Sequence, residues 1–162
     1  GITLITDLAS HLNWLRKLGF VLNDDKQHVS QDSVMYLQRL HSRHYTVDGI
    51  NRGVYPTMRA LNSLLGMERF HSGWNSQLVS LRVLAILENC KWHPKFKDFV
   101  HFAVEGDSEL IQNTKLILGD KSWLRKARAI PGFLPSYNED ALLDSPTGIS
   151  NFASVKVLME MS

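Results

Sequence analysis

The chain has 162 residues, 44% of them hydrophobic and 21% charged, with a formal net charge of +2. That length and balance describe about one domain of ordinary globular protein, and they exclude disordered, collagen-like and low-complexity classes. No run approaches the roughly 18 uninterrupted apolar residues of a membrane helix. No basic-then-apolar leader opens the chain. The single cysteine, Cys90, rules out an internal disulfide and fits a reducing compartment. A first residue of Gly rather than Met is read as the mark of a fragment.

Leu4, Ile5, Leu8, Leu12, Leu15 and Leu18 recur every three or four residues, which predicts one apolar helix face. Gly19 follows where a helix-ending glycine belongs. Phe20-Val21-Leu22 is a short β-prone run, Asn23-Asp24-Asp25 is turn chemistry, and a second extended segment from about Gln27 to Ser30 would close a hairpin. Ser33 to Leu40 reads as a further strand, with Val34, Tyr36 and Gln38 on one face and Met35, Leu37 and Arg39 on the other.

Beyond residue 45 the predicted pattern is helical. Pro56 suits a helix start, and Met58, Leu61, Leu64 and Leu65 form a stripe behind it. Leu78 to Leu87 is apolar nearly all round, as a buried helix is. Pro94 opens a helix with Phe96, Phe99, Val100 and Ala103 inward, closed by Gly106. Asp107 or Ser108 caps the next, with Leu110, Ile111 and Ile117 periodic and Gly119 at its end. Asp120 caps a short basic helix through Arg128. Pro, Gly, Ser and Asn then dominate to about Ser150, predicting a loop, before a last helix over Phe152 to Met161.

Charge is unevenly spread. Arg39, Arg43, Arg52, Arg59 and Arg69 face only Asp48 and Glu68 in one stretch. In a second stretch Lys115, Lys121, Arg125, Lys126 and Arg128 face only Asp120. Glu139, Asp140, Asp144 and Glu160 make the end acidic, with Lys156 as the exception. Two basic zones suit an anion-facing surface, and a solvated surface accounts for them equally well.

The run Leu15-Arg16-Lys17-Leu18-Gly19-Phe20-Val21-Leu22-Asn23-Asp24-Asp25-Lys26 combines amphipathic helix, glycine, short strand, polar turn and lysine, and Tyr36-Leu37-Gln38-Arg39 follows about a dozen residues later. In that order and spacing the chain resembles viral RNA-dependent RNA polymerases, particularly those of double-stranded RNA viruses of the picobirnavirus and partitivirus kind. There the fourth palm motif is a helix leading to a Gly-Phe-x-(Val/Ile)-Asn turn and a lysine, and the fifth is a β-ribbon with an aromatic-Leu-x-Arg core. Arg59-Ala60-Leu61-Asn62-Ser63-Leu64-Leu65, with Glu68-Arg69 after it, looks like the start of the thumb in those enzymes. The resemblance covers roughly residues 4 to 70; beyond that it rests on helical content.

The resemblance implies an α+β chain: a small antiparallel β element with one packing helix over residues 1–45, a mainly α-helical thumb over 46–130, and a loop and tail over 131–162. It implies template-directed nucleotidyl transfer, with Lys26 as the catalytic residue serving the pyrophosphate leaving group. A mobile lysine can supply a proton or a cation there. Arg39 would grip the backbone of the product strand, where a planar bidentate donor suits a phosphate, and Arg43, Arg52 and Arg59 would extend the RNA-facing surface. The implied partners are RNA template and product, nucleoside triphosphates, the rest of the polymerase chain and a capsid, with no membrane. The implied location is host cytoplasm or virion interior. Mg²⁺ or Mn²⁺ would be bound in the full polymerase outside this segment.

Several rival signals are weaker. Asp24-Asp25 imitates a catalytic metal-binding pair, but Asn23 stands where Gly is usual, and the ribbon follows too closely to leave room for a helix-and-lysine element. His41-x-x-His44 and Cys90-x-x-His93 have zinc-compatible types, yet seven histidines make chance pairs expected. Cys90 reads as a small buried hydrophobe, and Trp14, Trp74, Trp92 and Trp123 as core or rim packing. The rival functional readings are a non-catalytic helical nucleic-acid-binding or regulatory module, and an interaction domain using Leu78–Leu87.

Overall fold

The computed structural model describes residues 7–23, 29–66, 72–131, 133 and 148–162, and they form two compact units, Gly1–Gly53 and Val54–Ser162. The first unit opens with α1 (Leu8–Lys17), whose N-terminus is capped by Asp7 accepting from Ser10 N at 3.3 Å. Those hydrogen bonds from Ser10 hold the Asp7 carboxyl below its ordinary value. The helix ends as the glycine predicts: Gly19 takes a φ of +86°, Gly19 N donates to Arg16 O at 3.0 Å, and Phe20 N donates to Leu15 O at 3.2 Å. This crossed pair satisfies carbonyls that a helix end otherwise leaves open. Leu4 and Ile5 lie outside the described residues, and none of the residues of α1 is fully buried.

The β region departs from the sequence reading. Phe20, Val21 and Leu22 form no strand, and Val21 is 99% exposed. A β-prone run needs a ladder partner, and Val29 and Ser30 are not in a strand either. The predicted strand over Ser33–Leu40 is instead a complete hairpin, β1 (Ser33–Tyr36) antiparallel to β2 (Arg39–Ser42). Leu37 and Gln38 form its two-residue turn with φ of +47° and +64°. Two left-handed residues match the natural twist of paired strands. Tyr36 therefore pairs with Arg39 and Val34 with His41, so Tyr36 and Arg39 share a face rather than opposing one another.

A second hairpin lies where the sequence reading turns helical. Strand β3 (Thr46–Val47) pairs with β4 (Ile50–Asn51) across Asp48 and Gly49, at φ of +53° and +73°. This hairpin belongs to the first unit, whose boundary falls after Gly53.

The second unit is helical and built around α3 (Ser76–Asn89), which packs against each of the other α-helices among the described residues: α2 (Thr57–Leu65), α4 (Phe96–Gly106), α5 (Leu110–Gly119), α6 (Ser122–Arg128) and α7 (Ala153–Glu160). Leu81, Leu84, Ala85 and Leu87 are fully buried, as a helix apolar all round must be. On α2 the inward residues are Ala60, Leu61 and Leu64, while Met58 and Leu65 are 68% and 75% exposed. At about 100° per residue, Ala60, Leu64 and Leu61 share one arc, and the two outer members of the predicted stripe fall beyond its edge. Helices α4 and α5 bury Phe99, Val100, Ala103, Leu110 and Ile117 as their periodicity predicts. Arg82 donates to Ser63 O at 2.7 Å and Gly66 O at 3.4 Å, closing the C-terminal carbonyls of α2.

A polar chain crosses from α3 to α5: Gln77 Nε2 donates to Asn113 Oδ1 at 3.2 Å, and Asn113 Nδ2 to Ser80 Oγ at 3.1 Å. Asp120 accepts from Ser122 N at 2.8 Å, starting α6, and the same Ser122 bonds lower its carboxyl below the ordinary value. The predicted loop before Ser150 holds structure at its end. Gly148–Asn151 is a 3-10 turn with Ile149 buried, and Phe133 is buried with its ring 5.3 Å from Trp74, edge-on. Trp74 and Trp123 pack against the core as predicted; Trp14, at 56% exposure, does not. The α+β class is observed: small antiparallel hairpins with one helix, followed by a helical unit.

Candidate functional site

The candidate site lies in the first unit. The Tyr36–Arg39 pair closes β1–β2 at its tight end, with Leu37 77% exposed at the tip. Arg39 Nη1 donates to Gly53 O at 3.5 Å. The ladder continues one step past Ser42, because Arg43 N donates to Asp32 O at 2.9 Å. Asp32 also gathers nitrogen-bearing side chains: its Oδ1 stands 3.2 Å from Arg43 Nε and 3.3 Å from His44 Nε2, all largely exposed. An exposed pair of this kind is worth about 0–1 kcal/mol. Arg43 can therefore trade Asp32 for a phosphate at little cost.

Of the residues singled out by sequence, Arg39, Arg43 and Arg52 fall in this unit. Arg52 is half-buried just after β4, and Arg59 is exposed on α2 in the helical unit. Lys26 lies outside the described residues, as do Asp24 and Asp25. The sequence reading passed over Asp32, Asn51 and Gly53. The signal available was Asp48-Gly49, a two-residue hairpin dipeptide that folds Asn51 and Gly53 back onto β2.

The zinc-compatible pairs are otherwise engaged. His41 Nδ1 meets Asn51 Oδ1 at 3.3 Å, His44 sits on Asp32, and Cys90 is buried with its Sγ 3.6 Å from Ile86 O. His93 accepts from Lys95 N at 3.0 Å through Nδ1 and meets Thr57 Oγ1 at 2.9 Å through Nε2. Among the described residues, no group of three or more His, Cys, Asp or Glu stands together to hold a metal ion.

The chain matches the crystal structure of the RNA-dependent RNA polymerase of a human picobirnavirus with a TM-score of 0.74 and 31% identity, over 96% of this chain and 30% of that one. It is also 40% identical over 125 residues to a potential RNA-dependent RNA polymerase of human picobirnavirus (strain Human/Thailand/Hy005102/-). The chain is similar to part of the picobirnavirus RNA-dependent RNA polymerases. The insertion-loop deletion mutant of the crystallised polymerase matches with a TM-score of 0.67 and 32% identity, over 99% of this chain and 28% of that one. The chain spans about a fifth of the curated polymerase, since the aligned part is 21% of its length and 76% of this chain. No protein-family model matches.

Proposed function

We propose that this segment works within a viral RNA-directed RNA polymerase, as the end of its palm followed by its helical thumb. The supporting observation is a conjunction. A helix closed by the Gly19 turn precedes a tight hairpin whose Tyr36 and Arg39 share a face, within a chain similar over nearly all its length to a polymerase structure.

Nucleotide addition spreads charge over phosphoryl oxygens, so the protein contributes chiefly position and electrostatics. In this reading Lys26, three residues after Asn23 in sequence, gives its proton or its charge to the departing pyrophosphate. The 3′-oxygen of the product strand forms the new bond to the α-phosphorus as the bond to pyrophosphate breaks. Arg39 holds the product-strand backbone, and Arg43, Arg52 and Arg59 add sequence-independent contacts that weaken with salt. When bound, outside this segment, Mg²⁺ or Mn²⁺ would supply neutralisation of phosphate charge. The partners are RNA template and product, nucleoside triphosphates and the rest of the polymerase chain, with a capsid as a further partner, in host cytoplasm or virion interior. Among the described residues no helix is long and apolar enough to cross a membrane.

The test compares these 162 residues alone with a longer polymerase chain that contains them, each given RNA template, nucleoside triphosphates and Mg²⁺. Incorporation by the longer chain and none by the segment is expected. Incorporation by the segment alone, or a longer chain unable to copy RNA, overturns the reading.

A further inference from the structure

Two stretches of chain meet on one face of the first hairpin. The β1–β2 register puts Val34, Tyr36, Arg39 and His41 on that face. Gly53 lies directly against it. A Cβ on Gly53 would stand 2.7 Å from His41 Cε1 and Nε2 and 3.0 Å from the Cβ of Arg39, distances that real Cβ atoms do not tolerate without movement. Gly53 has no left-handed φ to explain it. Glycine stands there because the backbone must come this close.

The approach is fixed two residues earlier. Asn51 Nδ2 donates to Ser42 O, and to Tyr45 O at 3.5 Å, while Asn51 Oδ1 meets His41 Nδ1 at 3.3 Å. With the amide nitrogen turned to two carbonyls, its oxygen is the acceptor, so His41 carries its hydrogen on Nδ1. The ring is thereby held in the place that Gly53 leaves open, and Gly53 O in turn receives Arg39 Nη1 at 3.5 Å. The second hairpin therefore clamps the side of the first that carries Arg39.

We infer that Asn51, Gly53 and His41 are positioning residues that aim the Arg39 guanidinium at an RNA backbone. This rests on the reading of Arg39 given above. A bidentate grip on phosphate depends on the direction of a planar fork, which a displaced His41 ring or a shifted Gly53 carbonyl would change.

A double-substitution cycle in the full-length polymerase tests it, with affinity for a template–primer duplex, incorporation rate at saturating duplex, and melting temperature as readouts. Gly53→Ala is expected to weaken duplex binding about tenfold, as Arg39→Ala does. The incorporation rate at saturation stays unchanged, and the pair together is no weaker than Arg39→Ala alone. Asn51→Ala shifts affinity the same way, and it replaces Gly53→Ala in the cycle if that variant does not fold. A folded Gly53→Ala or Asn51→Ala that binds duplex like the parent overturns the inference, as do losses that multiply with that of Arg39→Ala. If Arg39→Ala itself leaves duplex binding intact, the reading of Arg39 falls and the inference with it. If only Arg39→Ala weakens binding, the inference alone falls.

Discussion

His93 shows how the environment of one side chain decides its chemistry. Its Nδ1 accepts from Lys95 N, its ring meets Phe99 edge-on at 5.0 Å, and its Nε2 faces Thr57 Oγ1 at the start of α2. An imidazole that accepts at Nδ1 is neutral, and burial pushes it below its ordinary value of 6.5. The unfolded chain then binds the proton more readily than the fold does. The contribution to stability is whole above the ordinary value and is lost as pH falls through 6.5 toward the lowered value. Urea midpoints measured at pH 7.5 and 5.5 should fall with acidity in the parent and fall less in His93→Gln. An unchanged acid loss in His93→Gln would remove His93 as its source. At this scale the sequence was informative where residue type alone decides, as for Cys90, a small apolar side chain ending an apolar helix. It was silent where a distant partner decides: nothing near His93 in sequence announces Thr57, and nothing near Arg43 announces that Asp32 is its partner.

The helices were legible as elements because their apolar spacing is a local property. Residues Leu78 to Leu87 and Phe96 to Ala103 wrote their burial into the sequence. The hairpins were less so. Leu37 and Gln38 occupy left-handed positions that Asn-Gly normally fills, at a cost of roughly 1–2 kcal/mol each for ordinary residues. Without glycine to punctuate it, Ser33 to Leu40 reads as one strand, where the hairpin in fact spans Ser33–Ser42. The Asp48-Gly49 signal was present, but strands of two residues are too short to show alternation. The start of α7 was legible in the sequence to within one residue, but its cap was not, because the cap comes from α3. Glu88, 8% exposed, accepts from Ala153 N at 2.7 Å and from Ser154 N at 3.5 Å through Oε2, while Oε1 holds Lys91 Nζ at 3.0 Å. A carboxylate at a helix N-terminus is favoured by both hydrogen bonding and the helix dipole. Glu88→Ala should destabilise the helical unit by about 2 kcal/mol in chemical denaturation, and Glu88→Gln, which keeps an acceptor, by less. Equal losses would mean that Glu88 acts through packing rather than as a cap.

Across the whole molecule, about 35 residues from Leu4 to Arg39 carried the resemblance to polymerases, and the similarity to a picobirnavirus polymerase structure extends over 96% of the chain. The helical unit could not show this by itself, since apolar periodicity specifies a buried face and not an ancestry. The proposed function rests on the handling of phosphate: a lysine at the leaving group and arginines on the product backbone. Single-turnover nucleotide incorporation by the full-length polymerase, compared with its Lys26→Ala and Lys26→Arg variants at equal RNA occupancy, tests that most directly. The account predicts a loss on the order of 10²-fold in Lys26→Ala. Lys26→Arg should be intermediate, since it keeps the charge but gives up its proton far less readily. A Lys26→Ala polymerase that incorporates nucleotides at the parent rate would contradict it.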